Sequence, residues 1–249
     1  MTDFKQILKE GCTISSSGTT GTPKQIFRSP KNLEACNAVA IKDQHITSKS
    51  KIFTCTRMTH AGGLLLQSLP AYTLGCDIHI TKFNPFSFIK DFEKYTHTFL
   101  PPAMCEALIK TKGFSNANFT GKIIAMGSDI IPWDHIRKFV SKGATVIANW
   151  GMSEIGPCAI NTTFETLKYV ERHAEWAPGG LPIMGENLNC CYQIDYKTDE
   201  LLVKGDICIH DDWFATGDRV KLHYKMPQLG YFPILYYNCL LYTSDAADD

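Results

Sequence analysis

The chain has 249 residues, of which 44% are hydrophobic and 20% charged, so it can bury a sizeable core and is not intrinsically disordered. Its 25 Lys and Arg balance its 25 Asp and Glu, which argues against nucleic acid and anionic membrane surfaces as partners. No apolar run has membrane-spanning length and residues 1–11 lack a signal-peptide core, so we expect no membrane insertion and a cytoplasmic location. The sequence leaves the oligomeric state open.

The first predicted elements are a short helix near residues 4–8, which Gly11 ends, and a strand over residues 12–15. Two dipeptides are typical helix starts, because a capping side chain precedes a proline: Ser29-Pro30 and Asn84-Pro85. Strands are predicted over 52–56 and 76–81, on either side of an apolar stretch over 62–74.

From residue 96 onward, predicted strands alternate with predicted helices. The strands are 97–100, 122–126 and 145–148, and the helices follow Pro102 and Pro132. This alternation predicts an α/β fold of parallel βαβ units covered by helices, over residues 1–186. Three short strands without helices then predict a small antiparallel β subdomain over 187–238; they are 190–195, 201–204 and 207–210.

Ten cysteines are scattered along the chain, and without a signal peptide we interpret them as reduced, mostly buried thiols. The nearest approach to a metal pattern is the set Cys190, Cys191, Cys208 and His210. Its spacing differs from that of a zinc ribbon, so the sequence argues against a metal site there.

Residues 15–24 read Ser-Ser-Ser-Gly-Thr-Thr-Gly-Thr-Pro-Lys. Two glycines allow the backbone to approach an anion, the hydroxyls can donate to phosphate oxygens, and Lys24 adds positive charge. The segment is not a Walker A loop, because no Gly-Lys-Ser/Thr follows at the required spacing. Alone, this pattern would be better explained by a flexible Ser/Gly surface turn.

The segment from Ser16 to Lys24 matches, at every position, the hallmark loop of the adenylate-forming superfamily of acyl-CoA synthetases. Five later segments resemble that family's motifs in the family's order: Met58 to Gly63, Met126 to Asp129, Asn149 to Glu154, Pro178 to Pro182 and Asp212 to Asp218. The resemblance covers about residues 12–235. It implies activation of a small carboxylic acid by ATP to an acyl-adenylate, followed by transfer to CoA, with Mg²⁺ as the metal.

The resemblance also implies the roles of individual residues. The loop would bind ATP, with Thr19, Thr20 and Lys24 holding the β and γ phosphates. Its other binding residues would be Ser16, Ser17, Gly18 and Gly21. The adenine and the acyl group would lie along Gly127, Ser128, Asp129, Asn149, Trp150, Gly151 and Met152, with Trp150 stacked on the adenine. Ser153 would donate to the α-phosphate, Glu154 would hold Mg²⁺, and Asp218 would accept hydrogen bonds from the ribose hydroxyls.

His60 has two open interpretations: a catalytic residue near the acyl carbonyl and the thiol entrance, or a satisfied core histidine at a helix start. The acyl pocket is expected around residues 60–66, 127–131 and 150–155, and its apolar character favours an aromatic or medium aliphatic acid.

The chain departs from the family at both ends. From the comparison with the family we expect a short segment before the loop and no C-terminal lid, and Tyr236 and Tyr237 stand where the family has Asp-Arg or Gly-Arg. Residues 239–249 resemble a translated sequencing-adapter tail, so we expect a truncated reading frame; a genuine acidic tail is the alternative. Two other functions stay open: a nucleotide-binding module that is inactive alone or needs a lid from another chain, and an adenylation unit that loads a carrier protein.

Overall fold

The computed structural model describes residues 3–15, 24–225 and 232–240. The predicted N-terminal elements are present: helix α1 (Phe4–Glu10), which Gly11 ends, and strand β1 (Cys12–Ser15). Strand β1 pairs antiparallel with β2 (Gln25–Arg28), from Cys12 opposite Arg28 to Ser15 opposite Gln25. The predicted phosphate loop connects these two strands, and its residues 16–23 lie outside the described residues.

A seven-stranded sheet forms the centre of the molecule. In spatial order its strands are β10 (Asn187–Leu188), β8 (Gly156–Phe164), β7 (Thr145–Met152), β6 (Ile123–Met126), β5 (His97–Leu100), β3 (Lys51–Thr54) and β4 (Asp77–Ile80). The five strands from β7 to β4 run parallel, whereas β8 and β10 are antiparallel to their neighbours. The predicted α/β class is confirmed, with a sheet that is mostly parallel.

Helices cover both faces of this sheet. They are α2 (Pro30–Asp43), a π-helix (Gly62–Ser68), α3 (Leu69–Thr73), α4 (Phe88–Phe92), α5 (Pro102–Ile109), α6 (Lys112–Ser115), α7 (Trp133–Ser141), α8 (Leu167–Trp176) and a 3-10 turn (Pro178–Gly180). Neighbouring residues of β5 show the two layers: Leu100 packs in the cluster that contains Phe139 of α7, and Phe99 packs with Ala40 of α2. No helix within the described residues is both long and apolar enough to span a bilayer.

The two predicted helix starts have different outcomes. Ser29 caps α2 as expected, because its hydroxyl accepts from the amide of Asn32 at 3.2 Å. Asn84 instead accepts from the amide of Phe86 at 3.0 Å. This bond forms a local turn, so the next helix begins only at Phe88.

A five-stranded antiparallel sheet follows, as predicted for the C-terminal part. In spatial order its strands are β11 (Cys191–Ile194), β12 (Glu200–Lys204), β13 (Phe214–Lys225), β14 (Phe232–Leu240) and β9 (Ile183–Gly185). The chain crosses between the sheets near residue 186, since β9 joins the second sheet and β10 joins the first. The domain division at this residue stays a prediction.

The predicted strand over residues 207–210 is wrong, because this segment is a loop. Ile207 and Cys208 are buried nonetheless, at 2% and 4% exposure. The backbone groups of this loop make hydrogen bonds to residues outside any strand ladder. Asn32 Nδ2 donates to the Cys208 carbonyl at 2.9 Å, and the Ile209 amide donates to the Glu154 carbonyl at 2.9 Å. These tertiary hydrogen bonds replace the strand ladder that the apolar pattern predicts.

Candidate active site

A cavity of about 270 Å³ lies at the ends of the parallel strands. Its lining includes Lys24, His60, Ala61, Gly62, Leu66, Phe99, Ser128, Asn149, Gly151, Met152, Ser153, Glu154, Gly156 and Pro157. Polar and apolar side chains thus line the same cavity. Carboxyl ends of parallel strands are a common place for ligand sites in α/β folds.

The cavity includes charged and hydroxyl groups that the described fold does not use. The Lys24 ammonium, the Ser153 hydroxyl and the Glu154 carboxylate make no hydrogen bond or ion pair with another described residue. Ser153 is buried and Glu154 is half-buried. Polar groups that leave water are usually paired, so the unpaired Ser153 and Glu154 side chains, together with the exposed Lys24 ammonium, are available for a ligand.

Ser153 and Glu154 lie in the tight turn between β7 and β8. Hydrogen bonds fix the backbone of this turn. The Ser153 carbonyl accepts two of them from the guanidinium of Arg28, at 3.1 and 2.9 Å. The Glu154 carbonyl accepts from the amide of Ile209. The turn is therefore fixed at both carbonyls, while its side chains stay free.

A second turn, at the end of β6, forms the next part of the wall. Gly127 is required there, because a Cβ would lie 2.4 Å from the carbonyl oxygen of Asn149. Ser128 follows with a left-handed φ of 71° and is exposed, and the Asp129 carboxylate accepts from the amide of Ile130 at 2.7 Å. This strained turn presents Ser128 to the first cavity and to a neighbouring one.

The neighbouring cavity measures about 200 Å³ and shares Ser128, Asn149, Gly151 and Met152 with the first. Its floor contains a buried pair: the indole nitrogen of Trp150 donates to Asp218 Oδ2 at 2.8 Å, with the two residues 4% and 6% exposed. Residues 68 positions apart in sequence thus meet in one site. Stacking of Trp150 on an adenine stays a prediction.

The Asp218 carboxyl lies in an unusual environment for an acid. Burial raises the pKa of Asp218 above its ordinary value, and the nearby Glu200 adds to this effect, whereas the hydrogen bond from Trp150 opposes it. A carboxylate kept in a low-dielectric cavity is a strong hydrogen-bond acceptor for hydroxyl groups.

His60 lies at the edge of the first cavity, just before the π-helix. Its Nδ1 accepts a hydrogen bond from the amide of Gly62 at 3.1 Å, so the ring proton of the neutral form lies on Nε2. Burial lowers the pKa of His60, which also favours the neutral ring. The structure thus gives His60 both a structural hydrogen bond and a place on the cavity wall.

Two residues of the site region were not predicted as site residues. Tyr237 lines the second cavity, and burial together with the carboxylates of Asp218 and Asp129 raises its pKa. Arg28 lies beneath the turn of Ser153 and has no solvent exposure. Strand alternation places Arg28 on the same face as Ile26, but the sequence does not indicate that this face is the buried one, because the neighbouring Phe27 is apolar as well.

Six predicted binding residues lie outside the described residues: Ser16, Ser17, Gly18, Thr19, Thr20 and Gly21. Among the residues that the structure does describe, no group of three or more His, Cys, Asp or Glu side chains could hold a metal ion. Nine cysteines have described side chains, and all nine are free thiols.

Residues 12–217 match a family described as AMP-binding enzyme. The chain is 30% identical over 231 residues to indoleacetate–CoA ligase of Aromatoleum aromaticum, covering 82% of this chain and 43% of that protein. It is 24% identical over 227 residues to 2-succinylbenzoate–CoA ligase of Enterococcus faecalis, covering 82% and 45%. The chain therefore spans less than half the length of these curated relatives.

Solved structures share the fold. The o-succinylbenzoate CoA synthetase of Bacillus subtilis, bound with a product analogue, superposes with a TM-score of 0.70 at 18% identity, covering 91% of this chain and 48% of that one. The N-terminal domain of FACL13 from Mycobacterium tuberculosis gives a TM-score of 0.70 at 15% identity, covering 92% and 60%.

Proposed function

The chain belongs to the AMP-binding enzyme family, of the acyl-CoA ligase type, and on that premise we propose that it activates a carboxylic acid with ATP for transfer to CoA. The observation that carries the proposal is the pair of adjoining cavities. One has a buried Trp150–Asp218 pair, and the other combines the unpaired Lys24, Ser153 and Glu154 with an apolar wall.

The nucleoside occupies the second cavity in this proposal. The Asp218 carboxylate accepts hydrogen bonds from the ribose hydroxyls, and its position is fixed by the Trp150 indole. The adenine lies in the second cavity beside Trp150 of β7 and the turn of Ser128.

The phosphates extend from there toward Lys24, Ser153 and Glu154 in the first cavity. A free, half-buried carboxylate beside a free hydroxyl is a donor set that suits Mg²⁺, a hard cation that prefers oxygen ligands. Glu154 would hold this metal, which would neutralise charge on the phosphate oxygens. Ser153 would donate to the α-phosphate, and Lys24 would pair with the outer phosphates.

The acid occupies the apolar part of the first cavity, against Leu66, Phe99 and Pro157. One of its carboxylate oxygens attacks the α-phosphorus of ATP, the bond from that phosphorus to the bridging oxygen breaks, and pyrophosphate leaves. The CoA thiol then loses its proton to water and its sulfur bonds to the acyl carbon. The bond from that carbon to the phosphate oxygen breaks, and AMP leaves with its electron pair. Nε2–H of His60 would orient the acid before the first step.

Calorimetric titration of the purified chain with ATP and AMP, with and without Mg²⁺, tests the binding part of the proposal. ATP–pyrophosphate exchange over a panel of arylacetic, aromatic and medium aliphatic acids tests the chemistry. We expect one nucleotide per chain and exchange with one class of acid. Binding without exchange would favour a module that needs further residues from elsewhere, and absence of binding would contradict the proposal.

Lys24→Ala is expected to weaken ATP binding by about 10-fold, because a charge-assisted contact to phosphate is worth roughly 1.5 kcal/mol. AMP, which lacks the outer phosphates, should bind almost as it does to the wild-type protein. Lys31→Ala is the matched control, since Lys31 is also exposed but lines neither cavity. Equal weakening in both lysine variants would argue against a specific role for Lys24.

A further inference from the structure

Arg28 is a fully buried cation in an unusual setting. It is 0% exposed, and no described carboxylate forms an ion pair with it. Its guanidinium donates instead to neutral acceptors: two bonds to the Ser153 carbonyl, one to the Ile207 carbonyl at 2.8 Å and one to the Cys36 sulfur at 3.2 Å. Burying a charge is costly unless its partners compensate, so this arrangement calls for a reason beyond packing.

The bonds of Arg28 close a ring around the turn of Ser153 and Glu154. Arg28 holds the Ser153 carbonyl, and that carbonyl belongs to the peptide group that joins the two residues. The next carbonyl, of Glu154, is bound by the Ile209 amide. The loop of Ile209 returns to Arg28 through the Ile207 carbonyl. Rotation of the turn would break several of these bonds together, so the ring fixes where the Ser153 and Glu154 side chains point.

Arg28 also connects this turn with Lys24, because both residues belong to one segment of the chain. Lys24 directly precedes β2, and Arg28 is the last residue of the same strand, roughly 13 Å away at the rise of an extended strand. The other strand of the hairpin is anchored as well, because the Ser15 amide donates to the Thr59 carbonyl at 3.1 Å, next to His60. The hairpin thus connects the segment of Lys24 with the turn of Glu154.

We infer that Arg28 is a positioning residue for the phosphate-binding part of the site. It orients the Ser153 hydroxyl and the Glu154 carboxylate, because it fixes the peptide group that joins these two residues. This inference rests on the proposed function, because it assigns phosphate and metal recognition to that turn. The Trp150–Asp218 pair lies outside the ring of hydrogen bonds, so the nucleoside end should depend on Arg28 much less.

The test compares Mg·ATP with adenosine, which lacks every phosphate, by calorimetry on Arg28→Met and Arg28→Lys. For Arg28→Met we expect Mg·ATP to bind at least 10-fold more weakly and adenosine to change by less than about twofold. Arg28→Lys keeps the charge but loses the forked geometry, so it should give an intermediate ratio. Arg137→Met is the control, since Arg137 makes a bidentate pair with Glu171 at the surface, away from both cavities.

The ratio of the two affinities separates positioning from a general structural role. A lower melting temperature with an unchanged ratio in Arg28→Met would overturn the inference. If Arg28→Met does not fold, Arg28→Lys decides, and a wild-type ratio in that variant would equally overturn it. A wild-type protein that binds neither ligand would overturn the proposed function, and this inference with it.

Discussion

Asp218→Asn is expected to weaken AMP and ATP binding by about 10- to 100-fold without destabilising the free protein. In the wild-type protein, Asp218 accepts a hydrogen bond from the Trp150 indole nitrogen at 2.8 Å, and the amide oxygen of an asparagine can still accept this bond. It loses the negative charge, and hydrogen bonds to a charged acceptor are worth roughly 1.5–3 kcal/mol, against about 1 for neutral ones. The loss should therefore appear in affinity and leave the fold intact.

The stability of the variant follows from the direction of the Asp218 pKa shift. Burial raises the pKa of Asp218 above its unfolded value of about 3.8, so the folded chain favours the protonated form. The stability that this group contributes is present below the unfolded pKa and is lost as pH rises through the folded pKa. At pH 7 the wild-type protein bears the cost of a buried charge, and Asp218→Asn should melt at an equal or higher temperature.

Nucleotide binding should have the opposite pH dependence, because the ribose contacts need the ionised carboxylate. In the wild-type protein, affinity for AMP should rise with pH through the raised pKa of Asp218, and this rise should be absent in Asp218→Asn. Asp212→Asn is the control, since Asp212 precedes the same strand but its side chain is 88% exposed. Unchanged AMP affinity in Asp218→Asn, or a large drop in its melting temperature, would contradict the assignment.

The fold class was predictable because its signals are local. Strands 97–100 and 145–148 begin where the sequence predicts them, since apolar β-rich segments alternate with proline-initiated helices. Strand β8 was missed, because Gly156–Phe164 mixes glycine, asparagine and threonine with apolar residues and has no clear period. Nearly all of it is buried in the sheet, and its neighbours on both sides supply the pairing that its own pattern does not indicate.

The sequence predicted the motif residues of the site, but not the hydrogen bonds and the buried residues that position them. The resemblance named Trp150 and Asp218 separately, and their direct hydrogen bond is a tertiary feature that no local pattern contains. Arg28 was missed for a different reason: a cation in a short strand is usually solvent-facing, and the apolar Phe27 favours the opposite face of β2, although the structure exposes Phe27 by 57% and buries Arg28. The loop of Ile207 was misassigned because its apolar side chains, Ile207 and Cys208, are buried in the cluster that contains Cys36 and Trp150, although the loop forms no strand.

Gly151→Ala is expected to produce the largest loss of stability, about 3 kcal/mol, because there is no room for a methyl group. A Cβ on Gly151 would lie 2.1 Å from the carbonyl oxygen of Gly156, in the facing strand. Both partners are backbone, so no side chain can swing away and the two strands must separate. A loss of this size corresponds to a fall in melting temperature of roughly 6–12 °C for a chain of this length.

Separation of β7 and β8 in Gly151→Ala should also weaken binding of Mg·ATP. Gly151 and Gly156 flank the turn of Ser153 and Glu154, so parting the strands displaces the side chains that face the first cavity. Gly113→Ala is the control: its Cβ would meet Ile89 at an ordinary 3.6 Å, and alanine is the better helix former by about 1 kcal/mol. If Gly151→Ala melted like Gly113→Ala and bound Mg·ATP normally, the close approach of β7 and β8 would not constrain the turn. A cooperative loss of both properties is the expected result, because the same backbone contact sets the strand spacing and the position of Glu154.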